Sequence, residues 1–231
     1  MAYILKVVLT FLLLLIVDHS FAARPLITDD ARMIDPQSCQ VESWVKSSKH
    51  SEEYWALPAC NPLGFFELTL GGSKIHSQDP TDSSGRVVQA KTVFRELKPN
   101  DWAIGFALGR NHHLATSELA SHHDVYGYIP VTWSLNNDQR FLHLNLGAQK
   151  SQLDSVLRKT WGIGAEVEIT PRTVLIAEIY GVDGVKPSYQ AGVRYWLQPN
   201  KFQVDLTTGS KANYTTESRW FSIGIRLLWG N

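Results

Sequence analysis

The 231-residue sequence predicts an all-β fold, an antiparallel barrel of about twelve strands, and two observations support it. Apolar and polar residues alternate along most of the chain with the period of two of a β-strand, and no long stretch has the period of an amphipathic helix. Compact turn signals rich in Pro, Asn and Asp separate the alternating runs.

The composition excludes several classes of protein. The 22 Lys and Arg balance 22 Asp and Glu, and 44% of the residues are hydrophobic. This balance argues against a disordered chain and against a basic nucleic-acid binder, so we expect no nucleic-acid partner. Two cysteines are too few for a disulfide-dense scaffold or a cysteine-rich zinc domain.

Residues 1–22 are predicted to be a signal peptide. Lys6 provides a positive start, Val7 to Val17 is apolar apart from Thr10, and Ser20-Phe21-Ala22 supplies small residues for cleavage. The alternative is an uncleaved anchor, although the apolar run is short for a spanning helix. We therefore expect export, with a mature chain that begins at Ala23.

Cys39 and Cys60 are predicted to form a disulfide. Export favours oxidation of an even pair of cysteines. If 39–47 and 52–60 form a hairpin in which paired residue numbers sum to 99, Cys39 lies opposite Cys60. Directly opposed residues are close enough for a disulfide bond.

Twelve strands follow from the turns. Five tight turns, such as Asn136-Asn137-Asp138 and Gln198-Pro199-Asn200, alternate with six other connections. The other connections, apart from a bend near Ser48, are mostly longer and polar; they are predicted at about 73–85, 111–123, 151–158, 182–187 and 210–217. An even number of strands with this alternation is typical of bacterial outer-membrane barrels.

The two faces of the strands fit a membrane barrel if the apolar face points outward. In the last strand this face carries Phe221, Ile223, Ile225, Leu227 and Trp229. Aromatic residues near strand ends and small residues on the opposing faces favour the membrane version. A secreted sandwich or a lipocalin-like barrel is the alternative, because periodicity alone does not distinguish inside from outside.

Several short stretches resemble a bacterial outer-membrane family linked by name to the meta-cleavage pathway of phenol degradation. The resemblance lies in residues 24–72: Arg24-Pro25-Leu26-Ile27-Thr28-Asp29-Asp30-Ala31, Cys39-Gln40-Val41-Glu42, Pro58-Ala59-Cys60-Asn61 and Glu67-Leu68-Thr69-Leu70-Gly71. It implies a barrel in the Gram-negative outer membrane that admits hydrophobic or aromatic compounds. The terminal alternation of 221–229 is similar to the signal read by outer-membrane assembly machinery.

With apolar faces outward, charged and aromatic residues would line the lumen. The candidates are Glu42, Trp44, Lys46, Glu67, Lys91, Arg95, His143, Glu166, Glu168, Glu178, Arg194, Asp205 and Arg226. These side chains would either close the lumen as an ion-pair network or leave a narrow polar path. Residues 23–38 precede the barrel (39–231) and would form either a lumen plug or a flexible periplasmic tail.

Two further groups of residues are weaker candidates for chemistry. His112, His113, His122 and His123 bracket one predicted loop, but their spacing fits no established zinc pattern, and a solvated loop is the alternative. Ser117, Ser121, His122, His123 and Asp124 supply atoms for the relay of a lipid hydrolase in the same loop.

The predicted function is passive passage of small, hydrophobic or aromatic molecules through a barrel in contact with outer-membrane lipid. Transport of this kind requires no cofactor. We expect the protein not to be an enzyme. A closed barrel with a structural or adhesive role is the alternative, and a surface lipid hydrolase is a third.

Overall fold

The computed structural model describes residues 26–77, 82–114, 120–212 and 218–230. The predicted signal peptide, Ser117 and most of the predicted 210–217 connection lie outside these ranges. Twelve antiparallel strands make up the fold: β1 (Ser38–Ser48), β2 (Ser51–Asn61), β3 (Glu67–Ser77), β4 (Ser83–Arg95), β5 (Trp102–His113), β6 (His122–Leu135), β7 (Arg140–Ser151), β8 (Leu157–Thr170), β9 (Thr173–Val182), β10 (Ser188–Gln198), β11 (Phe202–Lys211) and β12 (Trp220–Trp229).

The strands close into one barrel. Each pairs with its neighbours in sequence, and β1 pairs with β12 through the register Cys39↔Trp229 to Ser48↔Trp220. Closure leaves no edge strand with unpaired backbone groups. The twelve-stranded barrel confirms the predicted fold class. Within the described ranges, no helix is both long and apolar enough to cross a membrane.

The tight turns lie at the end of the barrel that also carries Ser38 and Trp229. Asn100, Asn136, Asn137, Asp138 and Asn200 adopt positive φ angles of 52° to 65° in three of these turns. Asn and Asp tolerate this left-handed conformation better than other non-glycine residues. The turn residues therefore account for the short connections at this end of the barrel, which we call the tight end. It corresponds to the periplasmic end of an outer-membrane barrel.

The connections at the opposite end are mostly shorter than the sequence predicts. Pairing of β3 with β4 continues through Ser73↔Gly85 to Ile75↔Ser83, inside the predicted 73–85 connection. Pairing of β5 with β6 continues to His113↔His122, inside the predicted 111–123 connection. Polar residues remain in strand geometry here because neighbouring strands satisfy their backbone groups.

The barrel wall is apolar outside and polar inside. Leu108, Leu146, Ile163 and Ile223 face outward and are 45% to 56% exposed, whereas Arg194 and Arg226 are fully buried. This inverts the arrangement of a soluble barrel and provides the lipid-facing surface of a membrane barrel. The disulfide between Cys39 and Cys60 is present at the foot of the first hairpin, as predicted.

Candidate functional site

Residues 26–37, the inner segment, run through the lumen before β1 begins. The side chains of Leu26, Thr28, Asp30, Ala31 and Ile34 are at most 4% exposed. The segment contacts inward-facing residues of several strands. The lumen at the tight end of the barrel is therefore occupied by the protein's own chain.

Glu178 on β9 binds the start of the inner segment. Its two carboxylate oxygens accept hydrogen bonds from the backbone N–H groups of Ile27 and Thr28, each at 2.7 Å. Gln190 on β10 donates to the same carboxylate at 2.6 Å. Hydrogen bonds to an ionised acceptor are stronger than those between neutral groups. Glu178 thus binds the segment backbone through two adjacent N–H groups.

The rest of the segment is held in the same way. Thr132 Oγ1 accepts a hydrogen bond from the Ala31 N–H at 2.9 Å, and Glu67 accepts one from the Ile34 N–H at 2.9 Å. The Asn61 side chain donates to the Ile34 carbonyl at 2.7 Å. Among the described residues, only Gln37 of the segment donates a backbone–backbone hydrogen bond to a strand, to the Asn61 carbonyl at 2.7 Å. The side chains named above therefore satisfy backbone groups that burial would otherwise leave unpaired.

Asp29 connects the segment to the opposite wall. Lys91 Nζ lies 3.1 Å from both oxygens of the Asp29 carboxylate, and the Tyr128 hydroxyl donates to it at 2.8 Å. Asp30 pairs with Arg32 at 2.7 Å within the segment, and it lies 4.0 Å from Lys91. The acidic pair therefore supplies the negative charge that the buried Lys91 requires.

The inner segment also packs closely against the barrel wall. Leu26 packs with Val174 and Ile176 in a buried apolar cluster. At Gly162, the Cβ atom of any larger residue would lie 2.5 Å from Thr28 Oγ1. Gly162 therefore leaves the space that the segment fills, and a larger residue there would clash with it.

Ion pairs also occupy the lumen at the tight end. Arg194 contacts Glu166 at 2.9 Å, and His143 lies 3.5 Å from the other oxygen of Glu166. Arg226 donates to Gln40 at 2.7 Å and lies 3.7 Å from Glu42. These arginines are completely buried, so pairing offsets part of the cost of removing their charges from water.

Beyond the segment, towards the opposite end of the barrel, the lumen widens into a cavity of about 460 Å³. Leu26 to Asp29 form its floor. The inward-facing residues that line it include aromatic and aliphatic side chains (Trp55, Leu57, Val87, Tyr126, Tyr128, Tyr180), amides (Gln40, Gln89, Asn111, Asn145, Gln149) and charged groups (Glu42, Glu67, Lys91). The cavity therefore presents flat apolar surfaces with hydrogen-bonding groups between them.

Stacked rings contribute to this lining. The rings of Tyr126 and Tyr128 are nearly parallel, with centroids 6.3 Å apart, and the Tyr126 hydroxyl donates to Gln89 at 3.0 Å. Trp55 stacks on Trp44 at a centroid distance of 5.2 Å. Their contacts with neighbouring side chains limit the motion of these rings, which favours binding of another flat molecule.

Twelve of the thirteen predicted lumen residues occupy inward positions of their strands. Lys46 lies towards the wider end, 3.0 Å from Glu53, and Glu168 lies at the tight-end rim. The twelve are Glu42, Trp44, Lys46, Glu67, Lys91, His143, Glu166, Glu168, Glu178, Arg194, Asp205 and Arg226.

Arg95 lies outside the lumen, contrary to the prediction. The pairing of β4 with β5 shifts register between Val93 and Arg95, so the alternation of the strand is broken there. The guanidinium group lies 4.2 Å from the centroid of the Trp102 ring and donates to Asp101 at 2.7 Å. This hydrogen bond holds the pKa of Asp101 below its usual value. Arg95 is thus part of the outer rim.

The four histidines lie on the paired ends of β5 and β6, not in a loop as predicted. His112 pairs with His123 and His113 with His122, which places the first pair outward and the second inward. The rings of His113 and His122 stack at 4.6 Å, and His113 lies 3.1 Å from Asp124. Over the ranges given above, no three His, Cys, Asp or Glu side chains are arranged to hold a metal ion.

Sequence reasoning did not identify Trp55, Tyr126, Tyr180 or Gln89 as cavity residues. Gln89 and Tyr180 share the inward face of their strands with Lys91 and Glu178. Trp55 and Tyr126 follow from the same alternation on β2 and β6. The alternation of the strands therefore already indicated that these side chains face inward. The position of these residues above the segment depends on how far the segment enters the lumen.

The family model described as "Uncharacterised conserved protein UCP029691" matches residues 11–229. The chain belongs to this family. A search of curated protein sequences gave no match.

Several solved outer-membrane barrels share the fold. A KdgM porin in complex with disordered oligogalacturonate is 10% identical, with a TM-score of 0.65 over 81% of this chain and 98% of that one. The COG4313 outer membrane channel from Pseudomonas putida F1 is 10% identical, with a TM-score of 0.63 over 87% and 98%. A NanC porin is 10% identical, with a TM-score of 0.58 over 82% and 98%. The chain is thus an outer-membrane β-barrel in fold, and its apolar outer surface is suited to a lipid environment.

Proposed function

We propose that this protein is a channel for small molecules in the outer membrane and that its inner segment closes the channel. The observation that carries the proposal is the cavity of about 460 Å³, whose floor is formed by Leu26 to Asp29. A solute that enters from the end opposite the tight turns, the wide end, would contact this floor. On this proposal, passage to the other end requires the segment to move, because the segment and buried ion pairs occupy the lumen at the tight end.

The contacts of the inner segment would allow the whole segment to leave the barrel wall together. Most of its polar contacts are hydrogen bonds or ion pairs to side chains of the wall, such as Glu178, Glu67 and Thr132, and it is not part of any strand ladder. Loss of these contacts leaves all twelve strands paired. A segment that lacks ladder hydrogen bonds opens at a lower free energy than the barrel around it.

The proposed solutes are small aromatic or hydrophobic molecules with few charges. Trp55, Tyr126, Tyr128 and Tyr180 provide apolar ring surfaces, and Gln89 is placed to bind a polar substituent. An apolar cavity of about 150 Å³ is sufficient for benzene, so the space suits substituted rings. A link to phenol degradation remains a prediction from the resemblance. On this proposal the protein moves its solute without chemical change.

The direct test is single-channel recording in a planar bilayer. We expect the mature chain to be closed for most of the time and a variant lacking residues 23–36 to conduct in steady, discrete steps. The deletion ends before Ser38, so the barrel and its disulfide are retained. A lower mobility on a gel after boiling than before would confirm that both proteins are folded barrels. Silence from both folded proteins would refute the channel.

The solute class is tested on the same truncated protein. Benzyl alcohol is expected to reduce the current at lower concentrations than hexan-1-ol. Replacement of Tyr126 and Tyr180 by Ala is expected to weaken the aromatic block about tenfold, since each ring contact contributes about 0.5–1.5 kcal/mol. Tyr195→Ala is the matched control, because this ring faces outward. Equal block by both alcohols in every variant would contradict the aromatic preference.

A closed structural barrel is the second candidate. The buried ion pairs of Arg194 with Glu166 and of Lys91 with Asp29 favour it, because such pairs hold the wall and the segment together. On this alternative the truncated protein would also conduct no current. The hydrolase relay has no such support: in the described residues, no hydrogen bond joins Ser121 to His122, His123 or Asp124, and His123 faces outward whereas His122 and Asp124 face inward.

A further inference from the structure

The outer surface of the barrel carries a one-sided group of basic residues at the wide end. These residues, the basic arc, occupy outward positions on five of six consecutive strands and are all exposed: Lys74 on β3, Arg86 on β4, Arg110 on β5, Lys150 on β7 and Lys159 on β8. The sixth strand, β6, has His123 at the corresponding place.

The basic arc lies at the upper limit of the apolar belt. On β5 the outward residues run from Trp102 through Ile104, Phe106 and Leu108 to Arg110. Eight residues of a strand tilted by about 40° rise about 20 Å, close to the roughly 25 Å height of the apolar band of such barrels. On β8, Lys159 is the next outward residue beyond Trp161. The arc therefore lies where lipid headgroups begin.

The strand register brings the members of the arc close to one another. Arg86 is directly opposite His112, so it lies diagonally across from Arg110. Arg110 is opposite Val125, which is itself opposite Lys150. Diagonal neighbours in a sheet are about 7–8 Å apart and strands about 4.8 Å apart. Several long basic side chains thus reach the same small area.

The central members of the arc, Arg86, Arg110 and Lys150, have no acidic side chain beside them on the outer wall in the described parts of the chain. Strands β3 to β8 have no Asp or Glu at an outward position, and none of the five residues forms an ion pair with an acidic residue in the described parts of the chain. The nearest outward acidic residues flank the two ends of the arc: Glu52 on β2 lies opposite His76 on β3, and the Asp183 N–H donates to the Lys159 carbonyl at 2.9 Å. The positive surface is therefore confined to one side of the barrel.

We propose that the basic arc binds the phosphate groups of an anionic glycolipid in the outer leaflet. At this level the surface contacts headgroups, and Lys and Arg are suited to phosphate oxygens. Several fixed cations within one headgroup diameter favour a lipid with more than one phosphate over a zwitterionic one. This lipid would be bound on one side of the barrel only.

The test is native mass spectrometry of the purified barrel in detergent with diphosphorylated lipid A. The variant R86Q/R110Q/K150Q removes three central charges of the arc. One basic residue near an anionic surface changes affinity roughly fivefold, so the triple variant is expected to bind about 100-fold more weakly. K98Q/R172Q/K201Q, at exposed turns of the opposite end, removes the same charge and is expected to bind like the unchanged protein.

Three results would overturn the proposal. These are equal binding by the arc variant and the control variant, equal binding of dephosphorylated lipid A, and displacement of the lipid by millimolar inorganic phosphate alone. Gel mobility before and after boiling checks that each variant is folded. If the triple variant fails to fold, the three single variants are each expected to lose roughly fivefold in affinity, and no loss in any of them would refute the assignment.

Discussion

Replacement of Glu178 by Gln should release the start of the inner segment. The carboxylate accepts the backbone N–H groups of Ile27 and Thr28 at 2.7 Å each, and the amide of Gln retains only one acceptor oxygen. Its NH₂ group would face an N–H donor. A hydrogen bond to a charged group contributes about 1.5–3 kcal/mol, so we expect the docked state to lose about 2 kcal/mol, a roughly 30-fold shift towards release.

Thiol labelling measures this shift. Leu26→Cys places a thiol at a position that is 4% exposed when the segment is docked. When docking is fast relative to labelling, the labelling rate follows the fraction of released segment. With Glu178→Gln in this background, the rate should rise roughly 30-fold.

Glu168→Gln is the matched control for this experiment. It makes the same chemical change at an inward position of the rim, outside the carboxylates that bind the inner segment. We expect its labelling rate to equal that of the Leu26→Cys background. If Glu178→Gln leaves the labelling rate unchanged in a folded barrel, the hydrogen bonds to Glu178 do not hold the segment in the lumen.

Three other predictions concern the wall and the segment. Gly162→Ala should also speed labelling, because the added carbon would lie 2.5 Å from Thr28 Oγ1, and bilayer recordings of this variant should show more frequent opening. Arg194→Met should destabilise the barrel by about 3–5 kcal/mol in urea unfolding because it leaves Glu166 buried without its partner at 2.9 Å, whereas Arg95→Met at the rim should have little effect. Reduction of the disulfide should lower the free energy of unfolding by about 3 kcal/mol, and a urea midpoint unchanged by reductant would contradict this.

The candidate site was only partly predictable from the sequence. The alternation of β9 places Glu178 inside the barrel, and the same rule places Lys91 and Arg226 there. Their partners were not predictable, because Glu178 binds residues about 150 positions away in sequence. Arg95 was wrongly placed because a register shift at the end of a strand leaves no distinct mark in the alternation.

The sequence by itself determined the strands, the division of each strand into an apolar and a polar face, and the disulfide. These features depend on the two-residue period, on turn residues and on pairing between neighbours in the chain, all of which are local. Only the tertiary structure decided that residues 26–37 enter the lumen, because that depends on the space left at Gly162 and on acceptors from several strands. The basic arc likewise appears only after closure and register bring five separate strands into one surface.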